Sequence, residues 1–286
     1  NRKWNMIKSL KCDLHKTFIS AGFLAAILVT FLLCFTEDVY VDTSDMRKFS
    51  ALEALFKFNR AFMESKSSFC SLSVFKSALS GYSAMFLPIL ASFPFVFSQS
   101  AERNSGNIRF SIFRAKRLKY YFSKFFCGVI SGGICVLLGV ALFGIFSFFA
   151  FPRLECYPDL PLEFYAPDGI FAEIVRKLLS AFIYGCVSTV PAFFLSSFCR
   201  NRYIILCVPF LMRFMQDTAI KKIIVNTHDN NIYQTVFPFQ CYAPSQIPYL
   251  EVGEALYSTV AVTAISAALM LCGYIIIMER RTDKGD

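Results

Sequence analysis

The stretch FFCGVISGGICVLLGVALFGIFSFFAF, residues 125–151, decides the class of this protein. It contains no Asp, Glu, Lys or Arg, and its apolar side chains lack the period of two that an exposed strand would show. A helix of about 20 apolar residues crosses the roughly 30 Å hydrocarbon layer of a membrane and satisfies its own backbone hydrogen bonds there. Residues 125–151 therefore predict a transmembrane helix.

The composition of the whole chain agrees with this interpretation. Of the 286 residues, 56% are hydrophobic and 17% are charged, whereas soluble domains average about 45–50% apolar and about 25% charged residues. The charged residues form blocks between apolar runs instead of an even surface pattern. These properties argue against a soluble enzyme, a disordered chain and a coiled coil. They favour a polytopic membrane protein with one transmembrane domain over residues 1–286.

Six apolar runs predict an all-α membrane protein with six transmembrane helices. The first run follows a basic segment and has no small-residue cleavage site before Glu37, which argues against a secretory signal peptide. The fifth run is the weakest, because Arg213 and Asp217 interrupt it. The predicted spans are residues 17–35, 77–97, 125–151, 178–198, 203–220 and 255–278.

The distribution of charge predicts the orientation of these helices. With the N-terminus in the cytoplasm, the inner segments carry 17 Lys and Arg residues and five acidic ones. The outer segments, which are longer, carry 11 Lys and Arg residues and 14 acidic ones. Short cytoplasmic loops are enriched in Lys and Arg, so both termini are expected in the cytoplasm of a multi-pass cell-membrane protein. The net charge of +9 then marks topology, and no nucleic-acid partner is needed to explain it.

Residues 1–16 predict an amphipathic helix at the inner membrane surface. Trp4, Ile7, Leu10 and Leu14 recur at helical spacing, while lysines occupy the other faces and can lie near anionic headgroups. The alternative is an ordinary basic flank without a defined helix.

On the outer side, the spacing of Leu55, Phe58 and Phe62 predicts a short surface helix, whereas residues 221–254 give no clear pattern.

The 11 cysteines do not form a metal-binding pattern. No Cys-x-x-Cys occurs, and the predicted topology separates His15 from His228, so a metal site is not expected. Cys156 and Cys241 both fall on the outer side, where a disulfide between them is one interpretation and two free thiols the other.

Within the fifth span, Arg213 and Asp217 share a helix face. They are interpreted either as part of a translocation path or as an intrahelical pair near the helix end.

The cytoplasmic connection between the second and third spans carries the functional signal. Phe110, Phe113 and Leu118 lie among several cations, as in a short helix with an apolar anchor and a basic rim. Such a helix suits a groove on a cytoplasmic partner. The alternative is a positive-inside loop whose aromatic side chains rest at the membrane interface, and charge alone does not separate the two.

The order of residues in this connection resembles the permease subunits of ABC-2 type exporters. Glu102 is followed by Gly106, and a basic-aromatic segment that includes Tyr120 and Lys124 leads into the third span. The six-span layout with an interfacial N-terminal helix is also similar. Arg114-Ala-Lys departs from the proline and small residue of many members, which leaves the boundaries of the coupling helix open. The resemblance implies a docking site for an ATPase subunit at Glu102, Gly106, Ile108, Arg109, Phe110, Phe113, Arg114 and Arg117.

Membership of the ABC-2 permease family would imply an exporter of two permease chains and two ATPase chains, with ATP and Mg²⁺ bound by the ATPase. This chain has no Gly-x-x-x-x-Gly-Lys-Ser/Thr motif, so it is expected to hold no cofactor and to be no enzyme itself. The phenylalanine-rich spans suit an amphipathic or lipophilic cargo such as a peptide, although phenylalanine that faces lipid explains them equally simply. The alternatives are a secondary transporter or channel, and a membrane scaffold or immunity protein. An intramembrane enzyme lacks its motifs here.

Overall fold

Long apolar helices, joined by shorter polar ones, form most of the chain. The structure is a computed structural model that describes residues 6–42, 46–104, 117–157, 166–199, 201–226, 244–250 and 254–284. The helices are α1 Met6–Phe18, α2 Ala21–Cys34, α3 Ala51–Lys57, α4 Arg60–Ser65, α5 Ser71–Ser77, α6 Gly81–Asn104, α7 Arg117–Ala150, α8 Ile170–Leu195, α9 Arg202–Asn226 and α10 Glu254–Lys284. The antiparallel strands β1 Asp38–Val41 and β2 Lys48–Ser50 form a hairpin.

The described helices agree with an all-α membrane protein. Three helical segments are long and apolar enough to cross a membrane, namely Arg117–Cys156, Ile170–Leu195 and Leu256–Arg281. The segments Leu10–Phe18 and Ala21–Cys34, which meet at an angle of 61°, make a fourth if they act as one broken span. The predicted second and fifth spans are also helical, as α6 and α9. Six crossings, and their orientation, stay predictions.

Several helices begin outside the predicted spans. Helix α7 begins at Arg117 and α8 at Ile170, each eight residues earlier than the apolar run. Hydropathy marks where a helix meets the hydrocarbon, whereas backbone hydrogen bonds continue the helix into the polar region. Helix α2 begins later than predicted, because Ser20 caps it through a hydrogen bond from the Phe23 amide. The early starts of α7 and α8 bring charged residues into the bundle.

The glycines of α7 allow the central helices to approach closely. A Cβ atom on Gly132 would contact Thr189 of α8 and lie 3.0 Å from the carbonyl oxygen of Ala91 in α6. A Cβ atom on Gly185 of α8 would lie 2.7 Å from the carbonyl oxygen of Gly132. Small residues permit this backbone contact in membrane helices. The small residues of α7 therefore pack inside the bundle.

The two ends of the bundle differ in structure. At one end, called the α1 end, Thr17 of α1 lies against Cys127 of α7, and Arg281 near the end of α10 donates to the carbonyl oxygen of Phe198. At the opposite end, called the far end, the β1–β2 hairpin and α3–α5 form a small cap. Tyr157 joins this cap by donating a hydrogen bond of 2.6 Å to the Met63 carbonyl oxygen.

The structure of the cap differs from the sequence prediction in two ways: one predicted helix is divided, and a β-hairpin is present. The helix expected to carry Leu55, Phe58 and Phe62 is divided into α3 and α4, because Phe58 has an extended backbone and Asn59 precedes the new helix. The rings of Phe58 and Phe62 still stack, with centroids 4.7 Å apart. The hairpin was not predicted, since its strands are too short to show a pattern against the polar loop.

Two predictions concern residues outside the described part of the chain. Trp4 of the predicted interfacial helix precedes Met6, the first described residue, and α1 extends two residues beyond the predicted end. Cys156 is exposed, but Cys241 lies outside the described residues, so the structure does not address a disulfide between them. Most of the outer segment 221–254 also lies outside the described residues.

Candidate functional site

The predicted docking segment is bounded by two described helices. Glu102 lies in the last turn of α6, and Arg117 is the first residue of α7. The structure therefore describes the two ends of the connection and not its centre. The other predicted docking residues lie outside the described residues and are Gly106, Ile108, Arg109, Phe110, Phe113 and Arg114.

A buried lysine joins three helices where this connection begins and ends. The Nζ atom of Lys124 in α7 lies 2.9 Å from Oδ1 of Asp13 in α1. It lies 2.8 and 2.7 Å from the two carboxylate oxygens of Glu102 in α6. The Lys124 side chain is only 8% exposed, and those of Asp13 and Glu102 are 12% and 22% exposed. We call Asp13, Glu102 and Lys124 the charge triad.

The charges of the triad depend on one another. A buried charge is tolerated when it is paired and hydrogen-bonded. Here one ammonium group donates to two carboxylates, so the triad keeps a formal charge of −1 at the α1 end. Removing the ammonium group would leave two carboxylates facing each other with little water. Removing the charge of one group alone would therefore weaken the contact between α1, α6 and α7.

Tyr120 completes the surroundings of the triad. It is buried one turn before Lys124 on α7, and its hydroxyl donates to Glu102 over 3.5 Å. The Lys124 ammonium lies 5.5 Å from the centroid of the Tyr120 ring, within the range of a cation–π interaction. Sequence reasoning placed Tyr120 and Lys124 in the motif without giving them a role. Here both contact Glu102.

Sequence reasoning missed Asp13. It is the only acidic residue in the basic segment 1–16, and that contrast was a usable signal. Its partner is 111 positions away in the chain, so the sequence could not identify Lys124 as the residue that Asp13 contacts. The interfacial helix was predicted to bind lipid, whereas Asp13 also binds the bundle.

A buried polar layer continues from the triad toward α10. Gln99 lies one turn before Glu102 and donates from its amide nitrogen to the Tyr274 hydroxyl over 3.3 Å. Within the described residues, Asp13 Oδ2, Gln99 Oε1 and Ser123 Oγ are buried and lack a hydrogen-bond partner. Buried polar atoms of this kind usually bind ordered water. The layer is therefore suited to hold water next to the triad.

The far end has a second set of buried charges that the sequence did not predict. Glu173 of α8 is nearly fully buried and lies 2.9 Å from the Lys76 ammonium of α5. Arg176, which also pairs with Asp168, contacts Glu173 at 3.3 Å. Lys177 donates to the carbonyl oxygen of Lys76 over 2.6 Å. These contacts fasten the cap to α8.

Glu37 fastens the cap to the start of α6. Its carboxylate accepts a hydrogen bond of 2.7 Å from the Ser83 amide and one of 2.9 Å from the Ser80 hydroxyl. Burial raises the pKa of the Glu37 carboxyl, and these hydrogen bonds oppose part of that rise. Gly81 has φ of +54°, and a Cβ atom there would lie 2.8 Å from the carboxylate. Glycine is therefore required at this position.

Arg213 and Asp217, the candidates for a translocation path, are on a different helix from the members of the charge triad. Both lie in α9, and the Arg213 side chain is partly buried. The Asp217 side chain lies outside the described part of the structure, so the pair itself is not tested. Among the described residues, no group of three or more His, Cys, Asp or Glu side chains is arranged to hold a metal ion.

Comparisons with known proteins do not assign this chain to a family. No protein-family model matches it, and a search of curated proteins found no match. The functional argument therefore depends on the residues and on their geometry.

Proposed function

We propose that this protein is the membrane-spanning subunit of an ATP-driven exporter of the ABC-2 type. The observation that carries the proposal is the charge triad at the base of residues 105–116. A docking element can act on a membrane bundle only if its ends are fixed to helices that move with it. Lys124 and Glu102 join those ends, and Asp13 adds α1 to the same unit.

The predicted docking segment continues directly into α6 at one end and α7 at the other. Twelve residues separate the described end of α6 at Asn104 from Arg117 of α7. A displacement of this segment by a closing ATPase pair would therefore shift the ends of both helices. Pro88 and Pro94 lie inside α6, and proline removes a backbone hydrogen bond and permits a bend. The part of α6 beyond Pro94, which carries Glu102, could then tilt with α7 and α1. The start of α6 would stay fastened to the cap through Glu37.

The assembly in this proposal has two permease chains and two ATPase chains in the cell membrane. The ATPase binds ATP and Mg²⁺, and this chain supplies the path through the membrane with both termini in the cytoplasm. The cargo is an amphipathic or lipophilic molecule, such as a peptide, that leaves the cell. Arg213 and Asp217 are the candidates for polar groups along the path, because charges in membrane helices commonly face protein or a water-filled cavity.

The proposal is tested by co-expression with an ABC ATPase encoded by a neighbouring gene. We expect the two proteins to co-purify, and the association to be lost when residues 108–117 are replaced by a Gly-Ser segment of equal length. Single changes Phe113→Ala and Arg114→Ala should weaken it. Lys119→Ala, at an exposed position of α7 just outside the segment, is the matched control for Arg114→Ala.

Two results would count against the proposal. If the ATPase still co-purifies after residues 108–117 are replaced, that segment is not the docking element. If the purified chain moves substrate in vesicles without any ATPase, a secondary transporter or channel becomes the better interpretation.

A further inference from the structure

We infer that α3, at the far end, lies in the membrane–water interface with Leu52 and Phe56 inserted among the lipids. The inference requires only that the bundle spans a membrane, and it is independent of the cargo and of an ATPase. It assigns the cap a lipid-binding surface in addition to its contacts with the bundle.

The first argument is that one face of α3 has no partner among the residues that the structure describes. Ala51 and Ala54 are fully buried against the bundle and the hairpin. Leu52 and Phe56, one turn apart on another face, are 48% and 84% exposed. A phenylalanine exposed to this extent is unfavourable in water but favourable where an amphipathic helix lies on a membrane.

The second argument concerns the position of α3 along the bundle. Its first turn is joined to the end of α2, because the Leu52 amide donates to the Phe35 carbonyl oxygen over 3.1 Å. The Phe35 ring in turn contacts Phe146 of α7, with centroids 5.0 Å apart. Helix α3 therefore begins at the level of Phe146, which is where the apolar segment of α7 approaches its end.

The third argument is that other exposed phenylalanines mark the same level. Phe149 lies three residues beyond Phe146, a rise of about 4.5 Å along the helix, and is 81% exposed. Phe171, in the first turn of α8, is 80% exposed. With Phe56, these are the most exposed phenylalanines of the described chain. An exposed phenylalanine ring is unfavourable in water and favourable in lipid, so these three rings indicate that the apolar part of the membrane reaches this level.

The charged residues of α3 are compatible with this position. Glu53 and Lys57 form a pair 4.0 Å apart, and both are about half exposed. They can stay among the headgroups while Leu52 and Phe56 extend about 5–10 Å toward the acyl chains, as interfacial helices do. A second protein is a less suitable occupant, because the exposed face of this seven-residue helix is far smaller than a stable interface requires.

The single tryptophan of the chain permits a direct test. Trp4→Phe provides a tryptophan-free background, into which Phe56→Trp or Leu52→Trp is introduced. The full-length protein is placed in lipid nanodiscs that contain either unlabelled lipid or lipid brominated near the headgroup. Phe149→Trp is the lipid-facing control, and Lys66→Trp, at an exposed position of the cap, is the control for water.

We expect brominated lipid to quench the fluorescence of the Phe56→Trp and Leu52→Trp variants to the extent seen for the Phe149→Trp control. Iodide should quench these two variants much less than it quenches the Lys66→Trp control. Quenching by iodide at the level of the water control would overturn the inference. Protection from both quenchers would also overturn it, because the face would then be covered by protein. Neither result depends on ATPase binding, so the proposed function is tested separately.

Discussion

Lys124→Met should destabilise the bundle strongly, because it removes the shared cation and keeps a side chain of similar length. In the native protein the Lys124 ammonium lies within 2.9 Å of both Asp13 and Glu102. The substitution leaves these two carboxylates against an apolar side chain. Methionine has no hydrogen-bond donor in its side chain, so it cannot replace the ammonium group for either of them.

The magnitude follows from burial. Breaking a buried ion pair by removing one partner costs about 3–5 kcal/mol. The carboxylates here are 12% and 22% exposed, so water relieves part of the penalty, and the lower limit applies. A loss of about 3 kcal/mol corresponds to a fall in unfolding temperature of about 6–12 °C, at about 2–4 °C per kcal/mol for a chain of this size class.

The assay is thermal unfolding of the purified protein in nanodiscs, followed by tryptophan fluorescence or by loss of the monodisperse peak. Lys119→Met is the matched control, since Lys119 is an exposed lysine on the same helix. A triple variant, Lys124→Met with Asp13→Asn and Glu102→Gln, removes all the charges and should recover most of the lost stability. The reasoning is refuted if Lys124→Met unfolds at the same temperature as Lys119→Met, or if the triple variant is no more stable than Lys124→Met.

Further predictions concern the far end, the helix packing and α9. The raised pKa of Glu37 means that the folded state binds this proton more tightly than the unfolded state, so the contribution of Glu37 to stability should fall as pH rises from 4.5 through the raised pKa. Unfolding temperature measured against pH should lose this component in Glu37→Gln, and an unchanged profile would contradict the assignment. Gly132→Val should destabilise by about 1–3 kcal/mol because of overpacking, whereas Gly22→Ala, whose Cβ would meet nothing closer than 3.4 Å, should be nearly neutral in the same unfolding assay. Arg213→Ala should impair export with normal surface expression and complex assembly, and loss of assembly would instead indicate a structural role.

The site at the α1 end was only partly predictable. Glu102, Tyr120 and Lys124 stood out because their order resembles a known family, and 22 positions separate Glu102 from Lys124. Their contact depends on where the last turn of α6 and the first turns of α7 face, which hydropathy does not determine. The docking residues between them lie outside the described chain, so their role stays a prediction.

The far end was predicted least well. The sequence indicated a polar outer loop with a short helix, and the structure has a hairpin, α3, α4 and α5 fastened by buried charges. Glu173 and Lys177 were assigned to a loop, because charged residues lower the mean hydropathy of a segment. They belong to α8, where each is satisfied by a partner on α5. A buried charge looks like a surface charge in sequence until its partner is known.

The sequence by itself determined that this is a helical membrane protein, because crossing a hydrocarbon layer is a one-dimensional requirement on length and polarity. Runs of apolar residues meet it whatever their neighbours are. Only the tertiary structure decided which polar groups meet inside the bundle. Asp13 and Lys124 are 111 positions apart, and their contact is set by the direction in which each helix faces and by the close approach that small residues such as Gly132 allow. Those are properties of packing between helices, which a single segment does not contain.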